Sequence, residues 1–189
     1  MTDFYLVGGG PSLRGFDWSR LDGKNVIAVN RAFQVLPNAP YVYFSDKRFW
    51  DWHGAQLKSY SGRIISGAHR LRVNGVESYQ FTGVAGLDLT PGKLRHGNSS
   101  GYAAINLAVH LGARKIVLLG YDMRMVDDRA HWHDGYPVVA RQNVFDKMHA
   151  FFETMVPQLK QLDVTVLNAC PGSRINAFPQ ISHEEALCQ

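Results

Sequence analysis

The chain has 189 residues, 46% of them hydrophobic and 19% charged, with a net charge of +4 and eight histidines. That length suits one domain able to bury roughly 70% of the surface its unfolded chain would expose. The composition excludes collagen, coiled coil, low-complexity disorder and a disulfide scaffold, and no apolar stretch approaches the length of a membrane span.

The first apolar run, residues 4–7, reads as a buried strand that stops at Gly8-Gly9-Gly10-Pro11. Further runs at 26–29, at 41–44 before Ser45-Asp46, and at 63–65 read the same way. Residues 67–97 are irregular, and 82–91 are rich in turn formers, as in a hairpin or a substrate loop. A helix is predicted over 98–112, with cap candidates Asn98, Ser99 and Ser100, an apolar stripe of Ala104, Leu107, Ala108 and Leu111, and Gly112 at its end. A strand at 115–119 ends at Gly120. A second helix is predicted over about 141–162, kinked or restarted at Pro157, followed by a strand at 164–167. The strand runs are continuous rather than alternating, which suits a sheet covered on both faces. The expected fold is therefore α/β and Rossmann-like, a mostly parallel sheet flanked by helices, in a single domain.

The mild positive charge suits a polyanionic small molecule such as a nucleotide. No stripe of Lys and Arg calls for specific nucleic acid, the densest basic patches being residues 69–72 and 93–96. Cys170 and Cys188 read as free thiols of a reducing compartment. The start of the chain shows no basic stretch before an apolar block, so the expected location is the cytoplasm, with at most a peripheral preference for the inner membrane surface.

In parallel sheets ligands bind beyond the carboxyl ends of the strands, so candidate chemistry is sought there. Gly8, Gly9 and Gly10 let backbone approach a ligand and present N–H groups to a phosphate, and the Ser12 hydroxyl can add a contact. The turn is neither a P-loop nor a dinucleotide fingerprint, because Pro11 and Leu13 replace the required spacing. Asn30 after the second strand reads as a ligand amide or as the cap of a segment starting at Arg31. Ser45, Asp46 and Asp51 follow the third strand, with Phe49, Trp50 and Trp52 as core or as a stacking wall. The densest titratable cluster follows residues 115–119: Asp122, Asp127, Asp128, His131, His133 and Asp134. His-x-His is a metal-ligand spacing as well, but a histidine general base fits better, since an imidazole titrates near neutrality.

Gly8-Gly9-Gly10-Pro11-Ser12-Leu13, then Phe16-Asp17-Trp18-Ser19-Arg20-Leu21 and Val29-Asn30-Arg31, resembles the opening of the bacterial family 42 sialyltransferases. Ser99-Ser100-Gly101-Tyr102, Leu111-Gly112-Ala113-Arg114-Lys115-Ile116 and Gly120-Tyr121-Asp122 are similar to their central helix and strand. Cys170-Pro171-Gly172-Ser173 and Asn176-Ala177-Phe178 are similar to their C-terminal segment. The resemblance implies a nucleotide domain that transfers a sugar from a CMP-linked donor to a glycan or small-molecule acceptor, needs no metal, and self-associates. It implies that Gly10 and Ser12 hold the donor phosphate or ribose and that Asn30 meets the cytidine monophosphate part. Ser99, Ser100 and Gly101 would sit beside the donor at a helix N-terminus, with Ser45 and Tyr121 also at the donor site. The catalytic set is His133, preferred to His131 as base, together with Asp122.

The chain departs from that family in four places. Only residues 123–130 separate Asp122 from His131, so the loop over 123–140 is a reduced lid; no tyrosine lies in that 123–130 gap, Tyr121 and Tyr136 standing on either side of it; Ser45 stands where the family has an asparagine; and Gly9 stands where the glycine turn of the family has one. The pterin pyrophosphokinase-like proteins share the Gly-Pro-Ser-Leu turn and the Gly-x-Asp strand end. That alternative implies magnesium on Asp122, Asp127 and Asp128. A nucleotide-binding module without turnover is the third expectation.

Overall fold

The computed structural model describes residues 2–134 and 142–188. Their elements run β1 (Asp3–Val7), β2 (Val26–Val29), β3 (Tyr41–Phe44), α1 (Lys47–Leu57), β4 (Arg63–Ser66), β5 (Val76–Ser78), β6 (Gln80–Gly83), β7 (Lys93–Arg95), α2 (Ser100–His110), β8 (Lys115–Leu119), α3 (Gln142–Met148), α4 (Val156–Gln161), β9 (Thr165–Asn168) and α5 (His183–Leu187). Seven strands form one sheet in the order β5-β4-β3-β2-β1-β8-β9, and every neighbouring pair is parallel. The architecture is the expected α/β, Rossmann-like one.

The apolar runs split by their two-residue period. Phe4, Leu6, Ile27, Val29, Ile116 and Leu118 pack on one face against α2 and Phe152. Tyr5, Val7, Val26, Ala28, Val117 and Leu119 pack on the other against Phe33, Phe49 and Leu57. That is why these strands show no polar alternation in sequence. Central Leu6 lies between Ile27 and Leu118, which fixes the register of the three inner strands. The chain first builds outward from β1 to β5, then returns through β8 to the other side of β1. The order therefore reverses between β1 and β8, the position where open sheets of this kind form a crevice.

Helix α2 begins where Ser99 Oγ accepts the Gly101 N–H, and it is followed by Gly112 at a positive φ of 86°. Its buried Asn106 accepts the N–H groups of Asp88 and Arg95 and donates to the Asp88 carbonyl, so it staples the segment before it onto the helix. That segment is not a hairpin: β5 extends the large sheet, and β6 pairs with β7 in parallel. The helix expected over 141–162 is divided into α3, a 3-10 turn over His149–Met155, and α4. Pro157 sits in the first turn of α4, where its missing N–H has no helical partner to lose. Residue 141, Tyr136 and the last part of the loop over 123–140 lie outside the described residues. Cys170 is a buried and Cys188 an exposed free thiol. No helix among the described residues is long and apolar enough to cross a membrane.

Candidate functional site

A cleft of about 780 Å³ opens at the carboxyl ends of β1, β2, β3 and β8, beside the start of α2. This volume accommodates a nucleotide-sized ligand.

Its floor is the glycine turn after β1. Gly8 N–H donates to the Leu119 carbonyl and Gly10 N–H to the Gly120 carbonyl, both at 2.8 Å. Behind the turn, the Asp122 carboxylate accepts the Ser12 N–H at 3.1 Å and the Ser12 hydroxyl at 2.7 Å. A Cβ on Gly10 would lie 1.9 Å from Asp122 Oδ2 and 2.6 Å from the Gly120 carbonyl, so only glycine allows β1 and β8 to close this latch. Burial holds the Asp122 carboxyl above its ordinary value, against the lowering effect of the Ser12 hydrogen bonds. Gly8, Gly9, Gly10 and Asp122 line the cleft, whereas Ser12 does not. The serine expected to reach the ligand instead ties the turn to Asp122.

Tyr121 is buried. Its N–H donates to Cys170 Sγ at 3.0 Å and its hydroxyl to the Gly101 carbonyl at 3.2 Å, which seats the start of α2 against the end of β8. Burial drives its phenol well above the usual tyrosine range. Ser99, Ser100 and Gly101 reach the cleft at that helix N-terminus, the end that favours an anion. Asn30 lines the cleft at a positive φ of 53°, a left-handed conformation that asparagine tolerates better than most residues. Ser45 lines it too, its hydroxyl donating to the Tyr43 hydroxyl at 3.1 Å.

The aromatic cluster after β3 divides by helical position on α1, which Asp46 caps by accepting the Arg48 N–H. Phe49 is buried in the core, Trp50 stacks on Phe44, and Trp52 lines the cleft at 38% exposure. The core and stacking-wall readings each hold for part of the cluster.

The far wall is the loop after β8. Trp132 turns toward the backbone of the glycine turn, while His131 and His133 on either side of it line the cleft. Trp132 N–H donates to the Gly9 carbonyl at 3.0 Å and its indole N–H to the Gly8 carbonyl at 3.2 Å. His131 and His133 both line the cleft, with rings stacked at 5.2 Å and 5° apart in plane. Burial, then Arg31 and His131, push His133 down to about 4. His131 is lowered as well, by burial first, with a hydrogen bond to the Gly9 backbone opposing. Both imidazoles are therefore neutral at pH 7.

Asp127 and Asp128 are exposed on a tight turn closed by mutual Val126 and Arg129 backbone hydrogen bonds, and neither lines the cleft. Among the described residues no three His, Cys, Asp or Glu side chains converge as metal ligands, and Asp122 is not brought together with Asp127 and Asp128. The cleft is instead rich in cations, with Arg31, Lys47, Arg48 and Arg124 in its wall. Of these only Arg31 stood out in the sequence, as the start of a segment and as the last residue of the Val29-Asn30-Arg31 motif, with no role of its own. The signal that could have found it is its place directly after a strand-end asparagine.

Comparison with protein-family models, with curated proteins and with solved structures gives no match for this chain.

Proposed function

We propose that the chain is a transferase that moves a sugar from a CMP-linked donor to the hydroxyl of a glycan or small-molecule acceptor. The observation that carries this reading is the convergence on one cleft of a glycine turn, a helix N-terminus and two neutral histidines. The helix start suits a phosphate, its dipole favouring an anion, and the glycine turn beside it lets backbone approach that anion closely. Asn30, Ser45 and Trp52 offer polar and stacking contacts for the rest of the nucleotide or for the acceptor. In the reaction, the acceptor oxygen bonds to the anomeric carbon as its proton passes to His133. The carbon–oxygen bond to the phosphate breaks, and its electron pair leaves with CMP. A neutral imidazole is the protonation state such a base needs.

Ser12 and Asp122 support the turn rather than the reacting atoms. A magnesium-dependent pyrophosphokinase is the second reading. It draws on the shared Gly-Pro-Ser-Leu turn, while the separation of Asp127 and Asp128 from Asp122 favours the first. The test is release of CMP from CMP-sugars in EDTA, with His133→Ala and His131→Ala beside the parent. The expected result is turnover that survives EDTA and falls on the order of a hundredfold in His133→Ala with CMP binding retained. Turnover abolished by EDTA and restored by magnesium would transfer the reading to the pyrophosphokinase. CMP binding with no turnover of any donor would leave a nucleotide-binding module.

A further inference from the structure

Residues 123–134 belong to no helix or strand, yet they carry two of the four histidines that line the cleft, His131 and His133. Contacts with the rest of the protein help fix them. Trp132 anchors the loop to the glycine turn. Among the described residues, one side chain from the opposite wall reaches across to it. Arg31, just past β2, donates through Nη1 to the Asp134 carbonyl at 2.8 Å, and the same nitrogen lies 3.2 Å from His133 Nδ1. Its Nε donates to Gln34 Oε1 at 2.9 Å, and Gln34 donates in turn to Gln56 Oε1 on α1 at 3.0 Å. The chain of contacts thus runs from α1, through the turn after β2, across to the histidine loop. His133 is held on its other sides by the stacked His131 ring and by the edge of Trp132, 4.7 Å away.

We propose that Arg31 is the positioning residue of this cleft, a clasp that fixes the His133 ring and the backbone after it so that the histidine meets its ligand in one orientation. The inference rests on the reading that His133 accepts the proton. Arginine suits the task because Nε holds Gln34 while Nη1 serves the Asp134 carbonyl, the same carbonyl that the His133 ring N–H faces, which leaves the other ring nitrogen to act as base, and because it keeps its charge at every working pH. Among the described residues, the charged and titratable groups that act on His133 are Arg31 and His131, which disfavour its protonation, and Asp134, which favours it. The Asp134 carboxylate is itself paired with Arg129 at 3.0 Å.

The experiment is an NMR titration of the His133 ring in the full chain, run with kcat and KM for a CMP-sugar, in the parent, Arg31→Ala, Arg31→Gln and Arg31→Lys. In the parent the ring should titrate near 4. Arg31→Ala and Arg31→Gln should raise that midpoint by roughly one unit, and Arg31→Lys should restore most of the depression because it returns the charge. Turnover should separate the variants differently. Arg31→Ala should lower kcat on the order of a hundredfold with KM nearly unchanged. Arg31→Lys should recover only part of it, since an ammonium has no second nitrogen to hold Gln34 while it serves the Asp134 carbonyl. An His133 midpoint and a kcat that both stay at the parent's values in Arg31→Gln would overturn the clasp. Absence of CMP-sugar turnover in the parent, with the Arg31-dependent titration intact, would overturn the proposed activity and leave the clasp standing.

Discussion

The two walls of the cleft are built in opposite ways. The glycine turn is stitched to β8 by backbone hydrogen bonds from Gly8 and Gly10 and by the buried Asp122 carboxylate on Ser12. The histidine wall is an irregular loop held by side chains, Trp132 from one side and Arg31 from the other. The first wall is part of the sheet and is preformed with it; the second depends on a few contacts between partly exposed groups. In the proposed reaction the phosphate gains from the rigid wall, because a prearranged turn and helix start receive an anion without further ordering. Proton transfer would fall to the wall that can be adjusted, as is common where chemistry sits on loops carried by a rigid scaffold.

The contrast can be broken first at Gly10. Gly10→Ala drives a methyl group into Asp122 and the Gly120 carbonyl, and should cost about 3 kcal/mol in chemical denaturation, with loss of nucleotide binding. Asp122→Ala should cost about 2 kcal/mol by leaving the Ser12 donors without their acceptor. Asp122→Asn keeps one acceptor oxygen and should cost less than half as much. On the other wall, Trp132→Phe keeps the ring but removes the indole donor to Gly8, and should cost about 1 kcal/mol.

The smallest expected effect is on pH dependence. His133, His131, His53, His96 and His183 are all held below their ordinary value, chiefly by burial. Below that ordinary value the unfolded chain takes up protons that the folded chain refuses. Their contribution is therefore present at pH 7 and is lost as the pH falls toward 4. Asp122, held upward, works in the opposite sense. The melting temperature should drop over this range, and His133→Gln should make the drop shallower.

Much of this arrangement was legible in the sequence, and the remainder failed for physical reasons. The inner strands are buried on both faces, so their apolar runs stand out, and the glycines at their ends marked the crevice. β5, β6 and β7 were invisible as strands because Val-Glu-Ser, Gln-Phe-Thr-Gly and Lys-Leu-Arg are short, polar and partly exposed. α1 escaped because Gly54 and two tryptophans obscure its apolar stripe, and α5 because Ala186 is its one buried residue. Among site residues, Gly10, Asn30, Ser100, Asp122 and both histidines lie at the cleft as the strand ends implied. Ser12 turned inward, because a buried carboxylate needs donors and Ser12 is within reach. The grouping of Asp127 and Asp128 with Asp122 rested on nearness in sequence, which a tight turn at Val126 and Arg129 cancels. Arg31 was out of reach because its partners, His133 and Asp134, are about a hundred residues away.

The central claim is that the preformed wall holds the phosphate of a cytidine nucleotide, and a melting panel tests it directly. CMP, CDP, AMP, GMP and NAD are added at saturating concentration with and without magnesium, to the parent and to Gly10→Ala. The account predicts that CMP and CDP raise the parent's melting temperature by roughly 5 °C, more than the purine nucleotides do and without need of magnesium, and that Gly10→Ala loses the shift. Equal shifts for every nucleotide, or none for the cytidine pair, would contradict it.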